Sequence, residues 1–84
     1  MKYSAKVEIS PKPVLFDPEG EATKKSLLGL KFDVENVRAS KTFEIILESS
    51  SRNEAENSVE DMCKKLLANP NKDDYKFTIE EENE

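Results

Sequence analysis

At 84 residues the chain has room for one small domain, 1–84, able to bury only about 60–65% of the surface its unfolded form exposes, so self-association or docking is a natural source of stability. Acidic residues outnumber basic ones 18 to 13, for a net charge of −5, which argues against the basic stripe of a nucleic-acid surface and the polybasic patch of a membrane contact. With no histidine and a single cysteine, Cys63, the chain lacks the usual proton shuttle, the common nucleophile–base pairs, the best transition-metal ligand and any disulfide framework. The longest apolar runs, such as Val14-Leu15-Phe16 and Ile45-Ile46-Leu47, fit neither a transmembrane helix nor a secretory signal, and the expected compartment is a reducing cytoplasm.

The first strand is the clearest element. Tyr3, Ala5, Val7 and Ile9 alternate with Lys2, Ser4, Lys6 and Glu8, and Pro11 and Pro13 end the run. A helix then starts at Asp17-Pro18, with aspartate as N-cap, proline at the first helical position and Glu19 and Glu21 in the first turn. Its apolar stripe is thin: Thr23, Leu27 and Leu30. Phe32 to Arg38 is expected as a second strand with a bulge or early turn, because Val37 breaks the parity of Phe32 and Val34. A turn at Ala39-Ser40 leads to a third strand, Thr42 to Glu48, in which Phe43, Ile45 and Leu47 share one face.

The second helix carries the strongest pattern. Ala55, Val59, Met62, Cys63, Leu66 and Leu67 form a continuous stripe, and Pro70 stops the helix at Asn69. Tyr75, Phe77 and Ile79 then alternate as a last strand, and Glu80 to Glu84 reads as a solvated acidic tail. The order β-α-β-β-α-β predicts an α+β, ferredoxin-like two-layer sandwich: a four-stranded antiparallel sheet with both helices on one face.

Little chemistry is visible. Cys63 lies on the helix stripe and reads as core, the adjacent Asp73 and Asp74 point different ways, and two glycines make no phosphate-cradling loop. No catalytic, cofactor or metal site is expected. Val14-Leu15-Phe16 is expected to fold over the end of the core rather than to meet a partner. Arg38 and Lys41 are cations at the hairpin tip with no evident folding duty. The loop after the first strand has no arginine for acylphosphatase chemistry, and the aromatics occupy the buried parity instead of an RNA-stacking face. A small-molecule-sensing regulatory module of ACT type stays open as an alternative.

Two groups of residues go beyond fold. Lys12-Pro13, Asp17-Pro18-Glu19-Gly20-Glu21-Ala22 and Val37-Arg38 with Lys41 come first, followed by Met62-Cys63-Lys64-Lys65-Leu66-Leu67-Ala68-Asn69-Pro70 and Asp74-Tyr75. Together they resemble the PurS subunit of phosphoribosylformylglycinamidine synthase over nearly the whole chain. The resemblance implies a non-catalytic small subunit of purine biosynthesis, a homodimer or higher homo-oligomer. It would bridge a large synthetase subunit, which would hold ATP and magnesium, to a glutaminase subunit, and would support ammonia transfer. It also implies partner contacts at Asp17, Gly20, Arg38, Lys41, Asn69 and Pro70. Lys31 and Ser40 stand where the family usually has glycine, and Asn71-Lys72 where it has an apolar pair. A left-handed backbone at Lys31 or Ser40 would cost about 1 kcal/mol.

Overall fold

In a computed structural model that describes residues 1–82, β1 (Lys2–Pro11) is the middle of a three-stranded antiparallel sheet, between β2 (Lys41–Glu48) and β3 (Asp73–Glu81). Its neighbours pair with it from Lys2↔Glu48 to Ile9↔Lys41 and from Tyr3↔Glu81 to Pro11↔Asp73. Tyr3, Ala5, Val7 and Ile9 are buried together on one face, as their alternation requires. β3 continues through Glu80 and Glu81, which pair with Ser4 and Tyr3, so these two residues of the expected tail belong to the sheet. Asn83 and Glu84 lie outside the described residues. Among the described residues no helix is long and apolar enough to cross a membrane.

α2 (Arg52–Met62), capped by Ser51 accepting from the Glu54 amide at 3.1 Å, runs directly into a π-helical turn (Cys63–Leu67). Ala55, Val59 and Cys63 are fully buried against β1 and Ile79 of β3. Residues four apart drift by about 40° per step around an α-helix. The wider turn, marked by Ala68 N donating to Cys63 O five residues back at 2.9 Å, takes up that drift and keeps Leu67 packed against the core. It also turns Leu66 outward, 83% exposed, so Leu66 leaves the stripe that the sequence gives it.

α1 (Pro18–Gly29) departs furthest from expectation. Gly20 is its one buried residue, and the helix does not lie on the sheet. The radius of gyration is 16.4 Å, against about 12 Å for a compact domain of this length, and the molecule measures 50 × 31 × 14 Å. α1 and the segment that returns from it, residues 30–40, therefore form an arm. The helix ends in a Schellman motif: Phe32 N donates to Leu27 O and Lys31 N to Leu28 O, both at 3.0 Å, with Lys31 at φ 71°. Lys31 is the left-handed position; Ser40 is not. Val34 N then donates to Phe32 O at 3.2 Å, closing a three-residue turn that stops an extended run. Phe32 to Arg38 is accordingly no strand, Ala39-Ser40 is no hairpin turn, and the sheet has three strands rather than four. α1, the other helix of the expected sandwich, is missing from the sheet face, which leaves Phe43 exposed and Ile45 and Leu47 half-covered.

Candidate functional site

The base of the arm is held by one buried carboxylate. Asp17 caps α1 by accepting from the Gly20 amide at 3.1 Å, and its other oxygen accepts from the Ala39 amide at 2.7 Å. These two hydrogen bonds, Ala39 first, hold the carboxyl below the usual carboxylate range against the opposing effect of burial, with help from the Arg38 charge. Gly20 is required by space. A Cβ there would stand 2.4 Å from Val37 O and 2.5 Å from Asp17 Oδ2. Arg38 reaches back from the returning segment: Nη1 donates to Leu15 O at 3.0 Å, and Nη2 to Lys12 O at 3.1 Å and Pro11 O at 3.4 Å. Arg38 thus has a folding duty that the sequence reading did not give it.

Asn69 builds the turn into β3. Its amide donates to Asp73 Oδ2 at 2.9 Å, its side-chain oxygen accepts from Asn71 N at 2.9 Å, and its carbonyl accepts from Lys72 N and Asp73 N. Pro70 is exposed in that turn, and Asn71-Lys72 fill the place of the family's apolar pair without burial. Lys12 fastens the turn to the base of the arm through its amide to Lys72 O at 2.8 Å and its ammonium to Asp74 at 3.0 Å. The strand ends bring both clusters to one end of the sheet. Between them lies a groove of about 170 Å³ lined by Pro11, Ala39, Lys41, Phe43, Leu67 and Asp73. Lys41 is exposed on its rim.

Apolar side chains stand uncovered beside this end. Val14 is 89% and Phe16 76% exposed, so Val14-Leu15-Phe16 does not fold over the core. Leu28, Leu30 and Phe32 are exposed along the arm. This is the feature that sequence reasoning missed, and its signal was the thin stripe of α1: a helix with few inward residues is poorly held to its own sheet.

The titratable groups suit structure better than chemistry. Cys63 is buried, and its thiol is pushed up by burial and by nearby Glu60, the opposite of an activated nucleophile. The Tyr75 hydroxyl donates to Glu60 Oε1, tying β3 to α2, and is pushed up to about 12, chiefly by that hydrogen bond. Among the described residues no three His, Cys, Asp or Glu side chains converge on a point where a metal ion could sit.

Fold and site define a small α+β chain whose sheet edge and apolar arm are left uncovered. The profile of the PurS family, described as phosphoribosylformylglycinamidine (FGAM) synthase, matches residues 4–81. Phosphoribosylformylglycinamidine synthase subunit PurS of Archaeoglobus fulgidus is 51% identical over 67 residues, 79% of this chain and 84% of that protein. The structure of Thermus thermophilus PurS superposes with a TM-score of 0.91 at 33% identity, covering 99% of this chain and 100% of that one. Methanocaldococcus jannaschii PurS, described as one of the subunits of formylglycinamide ribonucleotide amidotransferase in the purine biosynthetic pathway, gives 0.86 at 35% identity, covering 96% and 99%. The chain belongs to the PurS family. This assignment takes the place of the sensing alternative.

Proposed function

We propose that this chain is the non-catalytic small subunit of phosphoribosylformylglycinamidine synthase. It bridges an ATP- and magnesium-holding synthetase subunit to a glutaminase subunit in the cytoplasm and supports passage of ammonia between them. The observation that carries this reading is the uncovered apolar surface of the arm and of the loop leading into it, with Leu30 and Phe32 on the arm and Val14 and Phe16 on the loop all more than half exposed. Surface of this kind marks docking. Of the six contact positions, Lys41 and Pro70 face a partner directly from the exposed rim of the groove and turn. Asp17, Gly20, Arg38 and Asn69 act by shaping the surfaces around them. The chain needs no nucleophile or metal of its own in this role, and it works as a homo-oligomer.

Reconstitution tests the reading. Synthetase and glutaminase together form product from glutamine only when this chain is added, while ammonium salts partly bypass the requirement. A Leu30→Glu, Phe32→Glu variant that keeps its circular dichroism spectrum does not restore glutamine-dependent turnover. Unchanged turnover on omitting the chain contradicts the bridging role, and turnover of substrate by the chain alone contradicts the non-catalytic one.

A further inference from the structure

We infer that the arm is a rigid lever hinged at the end of the sheet, and that the Arg38 guanidinium is the latch that fixes its angle. The device belongs to the chain itself and holds whichever subunit the arm meets.

The lever is tied together from within. Asp17 joins its two limbs, accepting from Gly20 of α1 and from Ala39 of the returning segment. Beyond that tie the limbs touch: a Cβ on Gly20 would stand 2.4 Å from Val37 O, so helix and return are in direct contact. The Schellman motif at Lys31 and the turn closed by Val34 N and Phe32 O build the far end. None of these bonds reaches the sheet.

The attachment of lever to sheet is slight by comparison. α1 has no extensive packing against a strand or α2, and Gly20 is its one buried residue. The chain crosses between the two bodies at residues 13–16 and 39–40, both irregular backbone. The Asp17–Ala39 bond sets these crossings side by side, and short adjacent segments of this kind form a hinge. Among the described residues, the side-chain hydrogen bonds at the hinge come from Ser40 and Arg38. Ser40 directly precedes β2, so its bond to Glu8 at 3.2 Å holds the strand end and not the lever.

Arg38 does span the hinge. Its Nη1 donates to Leu15 O at 3.0 Å, within the first crossing. Its Nη2 donates to Lys12 O at 3.1 Å and Pro11 O at 3.4 Å, on the sheet side. Those acceptors are anchored in turn: Lys12 N donates to Lys72 O at 2.8 Å, and Pro11 pairs with Asp73. One planar cation thus fastens lever to sheet, and bonds from a charged donor are the stronger kind. Length magnifies the result. α1 has 12 residues, about 18 Å, so a swing of about 30° would carry its far end, with Leu28, about 9 Å.

Spin-label distances in the full chain test the latch. Labels at Lys25→Cys on α1 and Asn57→Cys on α2, both exposed positions, measure lever against body. Labelled chain is mixed with a large excess of unlabelled chain, so each distance lies within one molecule. Buried Cys63 is retained, and label uptake by the otherwise unaltered chain is its control. With Arg38 present, one narrow distance is expected. Arg38→Met is expected to shift or broaden it by several ångström, whereas Arg52→Met, which removes the same charge from α2, leaves it narrow. Hydrogen exchange at the Gly20 and Ala39 amides reports the lever's own integrity and is expected to match the native chain. Should Arg38→Met fail to fold, Arg38→Lys serves instead, since one ammonium cannot reproduce the planar fork across these carbonyls. A distance that stays narrow without Arg38 overturns the latch. Lost protection at Gly20 and Ala39 alongside the broadening overturns the lever, because Arg38 then holds the arm's fold and not its angle.

Discussion

The Asp17 carboxylate and the Ala39 amide, 22 residues apart in the chain, meet at 2.7 Å at the base of the arm. Because the other Asp17 oxygen accepts from Gly20, one side chain fixes both the departure of α1 and the return of residues 30–40. The direction in which the arm leaves the sheet therefore depends on this buried anion, together with the Arg38 clamp on the Pro11, Lys12 and Leu15 carbonyls.

Replacing Asp17 with Asn is expected to lower the thermal midpoint at pH 7, because an amide presents one acceptor where the two amides need two. Asp17→Ala lowers it further. The folded carboxyl titrates below its unfolded value of about 3.9. Its stabilisation is thus complete above that value and is lost as pH falls through the folded one. Thermal melts at pH 7 and pH 3 should show the native chain losing more on acidification than Asp17→Asn. Parallel losses would mean that Asp17 does not carry the acid sensitivity.

The two glycines respond oppositely to alanine. Gly20→Ala places a methyl group within 2.5 Å of two oxygens and is expected to destabilise by about 1–3 kcal/mol, outweighing its better helix propensity. Gly29 has nothing within 4 Å of the added Cβ, and Gly29→Ala should stabilise by about 0.5–1 kcal/mol. Urea unfolding of both variants measures the contrast.

Lys31 occupies the left-handed position that closes the Schellman motif, at φ 71°. Lys31→Gly relieves the clash of its Cβ and is expected to stabilise the chain by about 0.5–1 kcal/mol. Ser40→Gly has no positive φ to relieve and should destabilise slightly through added freedom in the unfolded chain. Chemical denaturation of the pair distinguishes the positions; equal effects would refute the backbone argument.

Adjacent leucines test the π turn. Leu66, 83% exposed, should accept glutamate with a change within about 0.5 kcal/mol in the isolated chain. Leu67→Ala, which removes a side chain packed on the core, should lose about 1–2 kcal/mol. An uninterrupted α-helical stripe would make Leu66→Glu at least as damaging.

Legibility in the sequence followed the strength of the period. Tyr3 to Ile9 and Tyr75 to Ile79 alternate cleanly and became the middle and one edge of the sheet; Ala55, Val59 and Cys63 became the helix that covers them. Asp17-Pro18 announced a capped helix, and one formed there. The candidate positions were readable as types and not as roles. Arg38 looked like a spare cation because the carbonyls it serves belong to residues 11, 12 and 15, more than twenty positions away. Lys12 and Asp74 likewise gave no local sign of their contact across 62 residues.

Local pattern alone thus established where the paired strands and both helices form, which face of each strand is apolar, and that Cys63 is core. These follow from side-chain spacing over a few residues. The tertiary structure decided that Phe32 to Arg38 is an irregular return, that α1 leaves the sheet, and that Leu66 turns outward. Each of those outcomes is a competition between weak local preferences and distant contacts: the Asp17–Ala39 bond, the Arg38 carbonyl clamp and the i→i−5 turn at Ala68. Spacing along the chain carries no term for partners that only folding brings within reach.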